Sequence, residues 1–209
     1  NGAISYTVDF GRLHRLGGYG HSNVRDLTPD EMQPSANGIF RTEITADQTK
    51  LLMSIRDIAQ VAGIELKSSS NLFVTHLRLN PTEDRIAFLL RYRLPDAGEE
   101  TCLCTVGTDG SAPRVLARGF VSHFDWIGQK DVMFWGRRNE AVATLRRHPL
   151  LANPIARAIL PLVKKPLRAI LGRSAAMKMS YLNVPDVDGP SIVPFGLGVL
   201  EADGHPMYN

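Results

Sequence analysis

Two histidines occupy the same place in a repeated pattern of the sequence. Segment 76–88 aligns without gaps on segment 123–135, and each contains a histidine, a short strand, a polar turn with an aspartate eight residues after the histidine, and an apolar strand. The last residues of the chain, from His205 onward, resemble the opening of another copy. Imidazoles on rigid strands can hold a divalent cation, with a carboxylate or water completing its coordination shell. The sequence therefore predicts a cation-binding group of His76, His123 and His205, provided that the fold brings them together.

The spacing of the repeat predicts the architecture. His76 and His123 are 47 residues apart, close to the roughly 40–45 residues of one four-stranded propeller blade. Between them lie four short strand-like stretches separated by turn signals, such as Thr-Asp-Gly-Ser at 108–111. Short antiparallel strands at this spacing are typical of a sandwich or a propeller, and the blade-length repeat favours the propeller. We expect an all-β fold, a β-propeller of four-stranded antiparallel blades, with about four blades present in an incomplete ring.

Other segments fit the same plan. Segments 38–44 and 50–55 form a predicted hairpin, 4–16 an earlier strand, and 56–64 a short helix. Segments 177–184 and 192–201 are again predicted as β-strands. In a propeller the innermost strand of each blade lines a central channel, so residues at equivalent inner positions converge near its axis. The three histidines are therefore expected to meet at one mouth of that channel.

The basic residues are concentrated in one segment. Eight basic and no acidic residues lie between Glu140 and Asp186, so the rest of the chain carries a net charge of −5 although the whole carries +3. Segment 142–176 is a predicted basic amphipathic helical insertion, split or kinked by Pro161 and Pro166. It either packs on the propeller or a neighbouring subunit, or lies on a membrane surface with the basic side chains of 146–178 toward lipid head groups. Nucleic acid is not expected, because no aromatic residues interleave with the charges.

Composition and missing motifs exclude several classes of protein. The 209 residues are 44% hydrophobic and 22% charged, as in ordinary globular chains, which excludes disorder, collagen and coiled coil. No run of about 18 apolar residues predicts a spanning helix. Cys102 and Cys104 are expected to be reduced thiols on one strand face, and the expected location is cytoplasmic. Because the chain starts without Met and stops a few residues into a new repeat, we expect an incomplete segment of 1–209.

Several strings resemble a known family. The string Leu-Asn-Pro-Thr-Glu-Asp-Arg-Ile-Ala-Phe at 79–88 and the turn at 108–111 are similar to blade signatures of TolB-type β-propellers. Together with Thr-His-Leu at 75–77, Val-Ser-His-Phe-Asp-Trp at 121–126 and Asp-Gly-His-Pro at 203–206, they resemble the oligogalacturonate lyase-like branch, a seven-bladed propeller. The resemblance covers about 4–136 and 177–209 and leaves the basic insertion out.

The resemblance implies a chemistry and a set of roles. In such lyases a manganese ion, held mainly by histidines, neutralises a galacturonate carboxylate. A base then takes the acidified proton, and the glycosidic oxygen leaves by β-elimination. The resemblance implies His123 and His205 as metal ligands. The sequence departs from the family here, because the His-x-His pair and its preceding Gln are absent, and Asp203 is a candidate further ligand for a hard divalent ion. It implies His76 as the base, while Arg78 and Arg15 are candidates for binding the carboxylate of a uronate oligosaccharide.

Two functions remain open from the sequence. The first is an oligogalacturonate-lyase-like enzyme that uses a divalent cation, with manganese as the expected cofactor. The second is a non-catalytic TolB-type propeller that binds a protein or a ligand as a scaffold, held at a membrane surface by the basic segment. In the second case each histidine simply hydrogen-bonds the neighbouring blade and fixes its packing, because a propeller fold by itself does not specify a function.

Overall fold

Antiparallel sheets dominate the computed structural model, which describes residues 3–64, 70–93, 98–137 and 179–205. Within these ranges the strands form three sheets, in each of which every strand pairs with the next one along the chain. The first sheet contains β1 (Ile4–Val8), β2 (Gly38–Glu43) and β3 (Gln48–Ser54), and the second contains β4 (Ser70–Leu79), β5 (Arg85–Arg93), β6 (Glu99–Gly107) and β7 (Arg114–Gly119). The third contains β8 (Val121–Ile127), β9 (Asp131–Gly136), β10 (Ser180–Pro185) and β11 (Val193–Pro194). The predicted all-β class is confirmed.

Two short helices connect the strands of the first half. Helix α1 (Phe10–Gly17) follows β1, and helix α2 (Ile55–Val61) follows β3, where the sequence predicts a helix. Ser54 and Asp57 form a capping box at the start of α2, in which the Ser54 side chain accepts from the Asp57 backbone and the Asp57 carboxylate accepts from the Ser54 backbone. Among the described residues, no helix is both long enough and apolar enough to cross a membrane.

Two of the predicted strands are wrong in part. The strand expected over 4–16 ends at Val8, because the Asp9 carboxylate accepts a hydrogen bond from the Arg12 backbone at 2.9 Å and starts α1. In the described segment after β10, up to residue 205, only Val193–Pro194 is strand, and Gly196 and Gly198, at φ +62° and +78°, turn the chain away from the extended conformation. The basic helical insertion expected at 142–176 lies outside the described residues.

The middle sheet is buried on both faces. On β5, Ile86, Phe88 and Leu90 belong to a core shared with β2, β3 and α2, whereas Ala87 and Leu89 belong to a core shared with β8, β9 and β10. Because both faces of β5 are covered, its side chains do not alternate between apolar and polar types. This explains the unbroken apolar run in the sequence. Cys102 and Cys104 are buried thiols on β6, and burial raises the pKa of Cys104 well above its usual value, so that it remains a thiol.

An asparagine turn joins β4 to β5 and ties it to the next sheet. The Asn80 side-chain oxygen accepts hydrogen bonds from the backbone nitrogens of Asp84 and Arg85, and its amide donates to the Asp84 carboxylate at 2.6 Å. The same amide donates to the Gln129 carbonyl, in the turn between β8 and β9, at 3.1 Å. Asn80 is 3% exposed, so the turn is an inter-sheet contact and not only a chain reversal.

A buried ion cluster holds the second and third sheets together. Arg85 donates two hydrogen bonds to the Asp186 carboxylate, at 2.6 and 3.0 Å, and Thr105 donates a third at 2.6 Å. Arg114 adds an ion pair at 3.2 Å, and the Asp186 side chain is 5% exposed. Burial alone would raise the pKa of Asp186, but these hydrogen bonds and charges outweigh burial and leave the pKa lowered. The carboxylate is therefore ionised and satisfied inside the protein.

Replacing Asp186 should destabilise the protein markedly. Asp186→Asn leaves two guanidinium groups near one another without their counter-charge, and loss of one partner of a buried pair costs about 3 kcal/mol. Asp188→Asn is the matched control, because Asp188 is 91% exposed and pairs only peripherally with Arg114. Urea unfolding of both variants measures the difference, and equal midpoints for the two would contradict the structural role of the cluster.

The cluster should also contribute to acid sensitivity. Since the folded pKa of Asp186 lies below its unfolded value, its stabilisation is complete above the unfolded pKa, about 3.9. It is then lost as the pH falls through the folded pKa. The free energy of unfolding should therefore fall less steeply with acidification in Asp186→Asn than in the wild type. Parallel pH profiles of the two proteins would show that Asp186 has no such role.

Candidate functional site

Two of the sequence-predicted histidines lie at irregularities of their strands. The pairing of β4 with β5 shifts register between Thr75 and Arg78, which includes His76, and His76 has φ +57°. The pairing of β8 with β9 shifts register between Ser122 and Phe124, which includes His123. A bulge changes the direction in which a side chain points, and a positive φ in a non-glycine residue stores backbone strain. The repeat in the sequence thus becomes a repeated bulge in the structure.

The same ring nitrogen is engaged in both histidines. Nδ1 of His76 lies 2.9 Å from the Thr75 hydroxyl, and Nδ1 of His123 lies 3.2 Å from the Ser122 hydroxyl. The Asp203 carboxylate also lies 2.7 Å from Nδ1 of His123. An ionised carboxylate only accepts, so Nδ1 carries the proton and the neutral ring keeps its lone pair on Nε2. Asp203 therefore orients His123 in this structure.

His123 is near both of the other two predicted histidines. The rings of His123 and His205 are in edge contact, with centroids 4.2 Å apart and planes at 66°. His76 and His123 both line a pocket of about 180 Å³, together with Leu89 and Ser122. Desolvation lowers the pKa of His76, and electrostatic interactions with Arg91, His123 and His205 lower it further. His76 is consequently a neutral imidazole at neutral pH.

A salt bridge between equivalent repeat positions sets this geometry. Arg78 donates to the Asp125 carboxylate from Nε at 2.8 Å and from Nη2 at 3.2 Å, and these residues stand two positions after His76 and His123. The Trp126 indole donates to the Arg78 carbonyl at 3.0 Å. Strand β4 therefore contacts β8 directly, two positions after each histidine.

The two arginines predicted to bind substrate have other partners. Arg78 is engaged by Asp125 and lines a different cavity, and Arg15 donates to the Asp26 carboxylate at 2.8 Å from α1. Neither of them lines the pocket of His76 and His123. Among the sequence-predicted residues, the structure therefore brings together His76, His123, His205 and Asp203, and it places Arg78 and Arg15 elsewhere.

Two residues of the pocket were missed from the sequence. Arg91 projects from β5 into the pocket, and Tyr19 reaches it from the loop after α1, with its ring centroid 6.0 Å from that of His76. The signal for Arg91 was present, since it is a charged residue in the otherwise apolar run 86–92. The signal for Tyr19 was weaker. The glycines around it allow a loop with positive φ at Gly18 and Gly20, but they do not show where the loop goes.

The site offers two imidazoles for a cation. A nitrogen–metal bond of about 2.1 Å puts an ion roughly 3 Å from a ring centroid, so rings as close as His123 and His205 can both reach one ion. No group of three or more His, Cys, Asp or Glu side chains in the described ranges is arranged around a metal position. An ion held here therefore needs water or ligand oxygens to complete its shell.

Comparison with protein-family models, with curated proteins and with solved structures gave no match for this chain.

Removing Asp203 should change the tautomer of His123. In Asp203→Ala the carboxylate that holds the proton on Nδ1 is lost, so a larger fraction of the neutral ring should carry its proton on Nε2. Nitrogen-15 NMR of the imidazole measures the two tautomers directly. Ser122→Ala is the control, because it leaves the 2.7 Å contact with Asp203 in place and should keep the wild-type tautomer. The orienting role is excluded if the spectra of wild type and Asp203→Ala agree.

Proposed function

We propose that the three sheets are blades of a β-propeller. The support is the placement of their first strands, because residues of β1, β4 and β8 line one cavity of about 500 Å³. Strands β1 and β8 both contact β4, as neighbouring innermost strands of a ring do, and β6 packs against β8 as adjacent blades do. Each sheet is also a simple up-and-down meander, which is the connectivity of a blade.

We propose that the mouth at the histidines carries out cation-assisted β-elimination on uronate oligosaccharides, as in the oligogalacturonate lyases that the sequence resembles. One observation carries this proposal: the rings of His123 and His205 are in edge contact, His76 and His123 line the same pocket, and Nδ1 is the ring nitrogen that makes the local contacts in both His76 and His123. A side chain that only fixed blade packing would have no need of this shared orientation.

Each residue has a distinct task in the proposed reaction. His123 and His205 would hold a divalent cation such as manganese, and Asp203 would keep Nε2 of His123 free to do so. Bound there, the cation would neutralise the uronate carboxylate and so acidify the adjacent proton. His76 takes that proton on Nε2, the released electron pair forms the ring carbon–carbon double bond, and the glycosidic oxygen leaves with its bonding electrons and is protonated by water.

His76 is suited to be the base. Its lowered pKa keeps it neutral, and hence able to accept a proton, at neutral pH. The contact with Thr75, which is 2% exposed, holds the ring from the side opposite to Nε2. The strained backbone at φ +57° indicates that the surrounding structure fixes this residue at a cost in folding free energy.

The proposal predicts product formation that depends on the histidines. With manganese and oligogalacturonate, the protein should generate an unsaturated uronate that absorbs in the ultraviolet. His76→Ala should lower kcat by about 10²-fold or more, as for loss of a general base, and His123→Ala should weaken manganese binding. His14→Ala is the control, because His14 lies on α1 and not at the pocket.

Two other results would count against the lyase function or against its assigned base. If the metal-replete wild type forms no product, the lyase function is wrong and the scaffold function is favoured. If His14→Ala loses as much activity as His76→Ala, the assigned base is wrong.

A further inference from the structure

Arg91 is a largely buried cation in the wall of the histidine pocket. Its side chain is 20% exposed, and Nη1 donates to the Tyr19 hydroxyl at 3.1 Å. The nearest carboxylate oxygen, Oε1 of Glu99, is 3.7 Å from Nη1, which is too long for a hydrogen bond. Nε is buried and has no hydrogen-bond partner among the described residues. The guanidinium group is therefore positioned by Tyr19 but has donors to spare.

The pocket has the electrostatics of an anion site. Its lining consists of Tyr19, His76, Leu89, Arg91, Ser122 and His123, and none of these described residues carries a negative charge. The positive charge of Arg91 disfavours the protonated form of the nearby His76 ring. A planar guanidinium fork pairs best with a planar carboxylate, through two parallel hydrogen bonds. Leu89 supplies the apolar wall that removes water from such a pair.

Strand β5 holds the backbone of Arg91 in a fixed position beside the pocket. On β5, Arg91 pairs with Phe73 on one side and with Thr101 on the other, so its backbone is fixed within the middle of the sheet. The side chain thus projects from a rigid element, which limits the entropy lost when a ligand binds. Tyr19 comes from a separate loop, and its hydroxyl further restricts the orientation of the guanidinium group.

We propose that Arg91, oriented by Tyr19, forms a second carboxylate subsite beside the histidines, which binds the uronate next to the one at the histidine pair. The choice of a uronate as ligand rests on the proposed function. The subsite gives the protein a preference for two adjacent acidic sugars, since one carboxylate faces His123 and His205 and the next faces Arg91. A single uronate or a neutral oligosaccharide satisfies only part of the site.

Binding of trigalacturonate, measured by titration calorimetry with a chelator present and again with manganese, tests this subsite. Arg91→Gln should weaken binding by at least about ten-fold in both conditions, as expected for a lost charge-assisted contact, and Arg91→Lys should restore only part of it. Arg93→Gln is the matched control, because it removes the same charge two residues further along β5 from an exposed position outside the pocket. A neutral galactose trisaccharide should bind the wild type at least ten-fold more weakly than trigalacturonate. Amide spectra of each variant verify its fold.

The outcomes separate this inference from the proposed function. Arg91-dependent binding without any lyase product supports the subsite and refutes the lyase. Lyase activity with the same KM in Arg91→Gln as in the wild type supports the lyase and overturns the subsite. The subsite is also overturned if Arg93→Gln weakens binding as much as Arg91→Gln, or if the wild type does not bind trigalacturonate.

Discussion

The salt bridge between Arg78 and Asp125 is the contact on which the geometry of the site depends. It joins equivalent positions of two repeats, and its carboxylate is nearly buried, with 6% of the side chain exposed. Two further hydrogen bonds join the same sheets. The Trp126 indole donates to the Arg78 carbonyl, and the Asn80 amide donates to the Gln129 carbonyl. Together these contacts fix where β4 lies against β8. Because each histidine stands two residues before a member of the pair, the contact also fixes the two imidazoles relative to one another.

Once the strands are held in this way, a local irregularity is enough to make a site. An unbroken ladder would alternate side chains between two core-facing surfaces, and the bulges at His76 and His123 interrupt that alternation. The hydroxyl just before each histidine then engages Nδ1, so that both rings are held by their own strand. The ion cluster of Arg85, Asp186 and Arg114 secures the same two sheets at a separate place. The two histidine bulges therefore lie where two sheets meet that are held together by contacts elsewhere.

The sequence predicted the repeated positions of the histidines better than it predicted which side chains contact one another. The 47-residue repeat placed His76 and His123 at equivalent positions, because strand pattern and turn chemistry are local properties. Arg91 and Tyr19 were missed because their convergence depends on how the loop after α1 folds back over β4, which no local pattern encodes. Arg78 was assigned to substrate because it stands two residues after His76 on the same strand face, and Arg15 was assigned by analogy. Neither argument shows that Asp125 or Asp26 already partners the arginine. The α1 helix was missed because a short apolar stretch fits a strand equally well until the Asp9 cap is recognised. The closed propeller ring stays a prediction.

We propose above that His123 and His205 bind one cation and that His76 lies beside it. The most direct measurement is paramagnetic broadening of the histidine ring resonances during titration with Mn²⁺ in the absence of substrate. We expect His123 and His205 to broaden first and His76 to follow at low ion concentration, while His14 and His21 remain sharp. Equal broadening of all histidines, or broadening that leaves His123 and His205 unaffected, would contradict a cation site at these two residues.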